Sequence, residues 1–105
     1  MSMGIGINVQ NPDEGKLKRE LEEIACGVWF TSKGTIMPKL IKYQDHDGVI
    51  HSISQIRVMT QEQKYYCGIP ILEYRCSTIL KNQEYLFRLY YYPKTSCWKI
   101  SWERN

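Results

Sequence analysis

The chain has 105 residues, a formal net charge of +3, 43% hydrophobic residues and 24% charged residues. That is enough for one domain with a modest core, and it argues against general disorder and against a transmembrane protein. The charge is uneven: residues 11–25 hold three basic against five acidic residues, and from Cys26 onward eleven basic face six acidic. This mildly basic remainder permits anionic partners but falls short of the charge density of a dedicated DNA binder.

The N-terminus lacks the basic start and apolar run of a secretory signal, so a cytoplasmic protein with no membrane partner is expected. There Cys26, Cys67, Cys76 and Cys97 are expected to be reduced and to pack as small hydrophobes. Ile5, Ile7 and Val9 alternate with Gly4, Gly6 and Asn8, a pattern suited to a short edge strand or an ordered arm.

Asn11-Pro12-Asp13-Glu14 has the form of a helix start, with a capping Asn, Pro at the first helical position and acids at the positive end of the dipole. Leu17, Leu21, Ile24, Ala25 and Val28 recur at spacings of three and four, which predicts a helix over 11–26 with one apolar stripe and Gly27 beyond its end. Lys18 precedes Glu22 and Arg19 precedes Glu23, the weaker order for such pairs. The helix would therefore depend on packing against a sheet.

From residue 28 the pattern becomes that of strands. Val28 to Thr31 is β-prone, Ser32-Lys33-Gly34 reads as a turn, and Ile36 to Gln44 as a strand whose Pro38 implies an edge or a bulge. Asp45-His46-Asp47-Gly48 forms a turn leading into Val49 to Met59. Ile50, Ile53, Ile56 and Val58 break strict alternation there and imply a bulge or sharp bend. Thr60 to Lys64 is polar and reads as a loop. Tyr65-Tyr66-Cys67 begins a further strand, and Gly68 and Pro70 mark a kink.

Leu72 to Trp102 alternates almost without error, so one face is expected to be dry and the other wet. With Pro93 to Ser96 as the last loop, Tyr91 faces Trp98, Leu89 faces Ile100 and Phe87 faces Trp102. All three pairs are apolar, as a buried face requires. For the preceding hairpin, a two-residue loop at Lys81-Asn82 would set Arg75 opposite Arg88, an unfavourable like-charge pair. A four-residue loop, Lys81 to Glu84, is preferred and aligns Arg75 with Tyr90 and Ser77 with Arg88.

The expected fold is therefore a single α+β domain over residues 1–105. A helix at 11–26 packs on a twisted antiparallel meander of five to six strands at 28–103, with curling into a partial barrel left open.

No constellation of catalytic residues stands out. Both histidines lie near the first hairpin, without a nucleophile motif beside any cysteine. The D-x-D-G fragment at Asp45 lacks the downstream Glu of a calcium loop, and no C-x-x-C pair suggests zinc. No catalytic residue, cofactor or metal is assigned, and the chain reads as a non-enzymatic module.

The candidate binding residues lie on the outer parity: Arg75, Arg88, Tyr90, Tyr92 and Lys99. The leading functional reading is protein–protein interaction, including self-association through a sheet edge or face. One alternative is weak binding of single-stranded nucleic acid or another anion, with tyrosine stacking a base and cations meeting phosphate. Another is a small-molecule pocket in the partial barrel.

Overall fold

A computed structural model describes residues 12–103 of the chain, and the arm with Ile5, Ile7 and Val9 lies outside these residues. The architecture is all-β. Seven antiparallel strands run β1 Glu22–Phe30, β2 Ile36–Gln44, β3 Ile50–Ile53, β4 Arg57–Tyr66, β5 Ile69–Leu80, β6 Gln83–Tyr92 and β7 Cys97–Trp102. They form one sheet in the order β3-β2-β1-β7-β6-β5-β4, curled into a half-barrel. β1 pairs with β7, joining the meander β1–β3 to the meander β4–β7.

The expected α+β class is thus corrected, and so is the strand count of five to six. No helix forms among the described residues, and the proposed helix at 11–26 divides in two. Pro12 to Leu21 is an extended strap, and Glu22 to Cys26 is the first half of β1. The physical reason lies in the spacing. Leu17 and Leu21 share a face of a strand as well as of a helix, and Gly15, Leu17, Arg19 and Leu21 are the half-buried positions of the strap. Asn11, the expected cap, lies outside the described residues, and Asp13, one of the acids expected at the helix start, serves the strap instead. Its carboxylate accepts from the Gly15 amide (2.6 Å) and from the distant amides of Cys67 (3.1 Å) and Gly68 (2.6 Å). Glu22, Glu23 and Ile24 pair with Ile100, Lys99 and Trp98, giving β7 the second neighbour it would otherwise lack. Long-range pairing outweighs a weak local preference.

Two further expectations are corrected. Thr60 to Lys64 is the middle of β4, paired with Ile71 to Arg75, because an edge strand tolerates polar residues where its outer side meets water. The β5–β6 hairpin uses the two-residue loop: Lys81 and Asn82 have φ of 52° and 63°, and Arg75 stands opposite Arg88. Both central residues of a type I′ turn need positive φ, and this turn's twist matches that of its strands. The like-charge pair is relieved because Arg88 binds Glu73 on the neighbouring position while Arg75 points into solvent. The last hairpin has the expected register, with Tyr91–Trp98, Leu89–Ile100 and Phe87–Trp102 all paired.

Pro38 sits at a bulge, where the β1–β2 register shifts between Gly27 and Val28. Between β3 and β4 the short segment 54–56 carries the chain from one sheet edge to the other, which accounts for the broken alternation there.

The core fills the concave side. Tyr74, Cys76, Phe87, Leu89, Trp98 and Ile100 from β5–β7 meet Ile41 and Ile53 from β2 and β3. Trp98 lies against Tyr91 (ring centroids 4.9 Å) and Tyr74 (5.5 Å). The Tyr74 hydroxyl donates to the Ile36 carbonyl of β2 at 2.7 Å, binding the two sides of the curl together.

Replacing Trp98 with Ala is expected to cost about 3–5 kcal/mol, the usual range for deleting a buried aromatic. Urea denaturation followed by circular dichroism measures it. The second tight turn offers an opposite test. Cys67 holds φ 50° beside Gly68 at φ 79°, so Cys67→Asn supplies the Asn-Gly pair this turn favours. It should raise stability by about 0.5–1 kcal/mol at unchanged m-value.

Candidate functional site

The five outer-parity residues do not form one open platform. β5, β6 and β7 place them on the convex side of the sheet, but the strap crosses that side and buries part of it. Tyr90 is 0% exposed. It stands opposite Glu73 on β5 and Lys99 on β7, rather than opposite Arg75. The strap is held at one end by Asp13 and by the Glu14 amide donating to the Tyr65 carbonyl at 2.6 Å. At the other end the Arg19 Nε donates to the Ser101 hydroxyl at 3.0 Å. The Asp13 carboxyl is held below its ordinary range, chiefly by the Gly15 and Gly68 amides.

At the centre of this face Glu73 is 3% exposed and organises the charges around it. Its carboxylate accepts from Lys64 Nζ at 2.8 Å and from Arg88 at 3.0 Å. Arg88 Nε also lies 3.7 Å from the Glu103 carboxylate. The Tyr90 hydroxyl lies against Glu73 but makes no well-aligned hydrogen bond. Burial by itself raises the Glu73 carboxyl. The hydrogen bonds from Lys64 and Arg88, with the neighbouring Tyr90 hydroxyl, overcome that and hold the group below the usual glutamate value. Lys64 is in turn raised, first by its bond to Glu73. Arg88 is therefore committed to two carboxylates.

The remaining members of the set are separate. Arg75 is exposed, and Lys99 lies over the Tyr92 ring at 5.0 Å from its centroid. A cation–π pair of this kind stabilises the sheet locally.

The cysteines divide into two kinds. Burial pushes the thiols of Cys26 and Cys76 up to about 12, so both are neutral packing groups. Cys67 and Cys97 lie exposed near turns, instead of in the core. His51 Nε2 bonds Asp45 at 2.7 Å, and Asp45 also accepts the Asp47 and Val49 amides. These contacts, the His51 bond first, hold Asp45 below its ordinary range and close the β2–β3 turn. Among the described residues no group of three or more His, Cys, Asp or Glu side chains is placed to hold a metal. No helix among them is long and apolar enough to cross a membrane, which leaves crossing by strands unaddressed.

The most exposed apolar surface lies elsewhere. β1 pairs with β7 only over Glu22 to Ile24 and β2 pairs with β3 only over Ile41 to Gln44, so from Gly27 and Leu40 onward β1 and β2 continue as a two-stranded ribbon. Near its tip Trp29 and Phe30 are 70% and 68% exposed. The tip is fixed: Thr31 and Thr35 exchange backbone and side-chain bonds, the Gly34 amide donates to the Thr31 carbonyl at 2.8 Å, and Gly34 takes φ 81°. The bulge opposite Gly27 turns Lys39 outward, and its ammonium lies 5.5 Å from the Trp29 ring centre. Sequence reasoning missed this site because Val28 to Thr31 reads only as a β-prone segment, which does not say whether its rings are covered. The short turn that follows and the bulge at Pro38 were the available signals.

No family model, no curated protein and no solved structure matches this chain.

Glu73 yields a pH test. A carboxyl that titrates lower in the folded than in the unfolded state contributes stability that is complete above its unfolded value, about 4.3, and lost as pH falls through the folded value. Glu73→Gln leaves Lys64 and Arg88 without their shared counter-charge. Their partial exposure softens the penalty, so the loss at neutral pH should be about 2–4 kcal/mol. Urea denaturation at pH 7 and at about pH 3 should show the gap between wild type and variant narrowing in acid.

Proposed function

We propose that this chain is a non-enzymatic protein-interaction module whose contact surface is the tip of the β1–β2 ribbon. The observation that supports this reading is the exposure of Trp29 and Phe30 on a turn held by its own hydrogen bonds. The other two tryptophans, Trp98 and Trp102, pack against the core. Large rings left in water are costly unless something covers them, and aromatic residues dominate the binding energy of protein interfaces. A pre-formed tip also loses little conformational freedom on binding.

Lys39 over Trp29 and Lys33 in the turn add positive charge around the rings. The fitting partner is a protein surface with an apolar cleft and an acidic rim. Self-association is the simplest version of the reading, with a second copy offering such a surface.

The Trp29→Ala/Phe30→Ala double variant tests this. Both side chains are largely in water already, so the melting temperature should change by no more than about 2–4 °C. Sedimentation equilibrium of the wild-type chain across a wide concentration range, with and without the variant, reads self-association. Quantitative cross-linking in cells reads other partners. Association weakened at least about 30-fold by the double variant, the effect of losing a typical 2 kcal/mol hot spot, supports the tip. Undiminished association places the contact elsewhere.

A further inference from the structure

A second surface, independent of the ribbon tip, lies at the open end of the half-barrel beside the β5–β6 hairpin. There a cavity of about 480 Å³ is lined by Tyr43, Leu80, Lys81, Tyr85, Trp102 and Glu103. We propose that this mouth is a binding site for a small planar aromatic acid, its ring held by Tyr43, Tyr85 and Trp102 and its carboxylate by Lys81.

The topology brings the walls together from four strands. Trp102 is the last residue of β7 and pairs with Phe87, its ring tilted against that of Phe87 at 5.3 Å. Tyr43 comes from the far end of β2 and meets Trp102 edge-on, with centroids 5.7 Å apart and planes at 67°. Two rings at that angle form a corner, and a third flat ring entering it can stack on one and meet the edge of the other. Tyr85 shares the inner face of β6 with Phe87 two residues away, and is therefore the diagonal neighbour of Trp102. At 38% exposure it forms the outer, solvent-facing wall. The volume suits a bicyclic ring with a short substituent.

The charges select an acid. Lys81 occupies the first position of the tight turn, and its ammonium makes no ion pair or hydrogen bond among the described residues. Glu103, the carboxylate lining the cavity, is turned to Arg88 at 3.7 Å. Asp45, in the β2–β3 turn, and Glu22, at the start of β1, both act on the Tyr43 hydroxyl, and Asp45 is itself engaged by His51. Of these carboxylates Asp45 is bonded to His51, Glu103 faces Arg88 at ion-pair distance without a hydrogen bond, and Glu22 lies toward Tyr43, while Lys81 is the cation at the hairpin. An aryl acid would enter with its ring in the Tyr43–Trp102 corner and its carboxylate pointing to Lys81, since a charge-assisted bond to an ammonium is the strongest polar contact the mouth offers.

Indole-3-acetate is a suitable probe, with neutral indole as the control, each titrated into the full chain by calorimetry and by NMR. The expected result is saturable binding of indole-3-acetate at least about tenfold tighter than indole, with shifts confined to the signals of Tyr43, Lys81, Tyr85 and Trp102. Lys81→Gln should erase that advantage and leave indole binding unchanged. Tyr85→Ala should weaken both ligands several-fold by removing one wall. Both positions are on the surface, and unchanged melting curves would confirm that the variants fold. No saturable binding of indole-3-acetate up to millimolar concentration overturns the proposal. So does equal affinity for the acid and for indole, or binding that neither substitution alters. These outcomes are separate from those at the ribbon tip, because the Trp29→Ala/Phe30→Ala variant should bind indole-3-acetate normally.

Discussion

Three residue pairs, Glu22–Ile100, Glu23–Lys99 and Ile24–Trp98, join the first strand to the last and make one sheet of two meanders. Without this short ladder β7 would be an edge, and the β1–β3 layer would have no fixed position over the core. With it, Ile41 and Ile53 are carried over Phe87, Leu89 and Ile100, and the Tyr74 hydroxyl reaches the Ile36 carbonyl. The sheet therefore buries its concave face against itself. An isolated two-layer closure of this kind needs no helix, because the sheet supplies both layers.

The same ladder sets the course of the chain before it. Once Glu22 to Ile24 is committed to β7, the preceding residues must leave across the convex side. There they meet a buried glutamate with two cations, a fully buried tyrosine and a serine hydroxyl for Arg19. Sheets of this type commonly leave the convex face wet. Here the strap makes part of it a second, polar interior. A buried ionic cluster is not in itself a source of stability, since desolvation opposes the attraction. Its effect is to fix the register of β4, β5 and β6 relative to one another, because Lys64, Glu73 and Arg88 come one from each and a slip would strand Glu73 among apolar groups.

The surfaces with functional potential lie where this closure ends. The β1–β2 ribbon runs past the start of β7 and exposes Trp29 and Phe30. At the other end of the sheet, the strands stop before the interior is sealed and leave the aromatic mouth. Both are consequences of unequal strand lengths in a curled sheet, and neither requires a catalytic constellation.

Much of the fold was legible in the chain by itself. Clean alternation from Leu72 to Trp102 defined three strands, and the apolar pairs Tyr91–Trp98, Leu89–Ile100 and Phe87–Trp102 defined the last register, because a one-residue slip would turn every ring outward. Pro38 and the uneven isoleucines from Ile50 to Ile56 marked irregularities that are present as a bulge and an edge-to-edge crossing. Leu17 and Leu21 were ambiguous, since a spacing of four serves helix and strand alike, and only pairing with β7 decided between them. The Arg75–Arg88 alignment was decided by the backbone of the Lys81-Asn82 turn, whose preferred twist outweighs a like-charge contact that solvent and Glu73 screen. Candidate binding residues were the least legible. Alternation says which side chains share a face, but Tyr90 became inaccessible because a distant segment lies across it, and Trp29 became exposed because its neighbouring strand ends early. Local pattern determines the direction a side chain takes from its own strand. Only the tertiary structure decides what, if anything, stands in front of it.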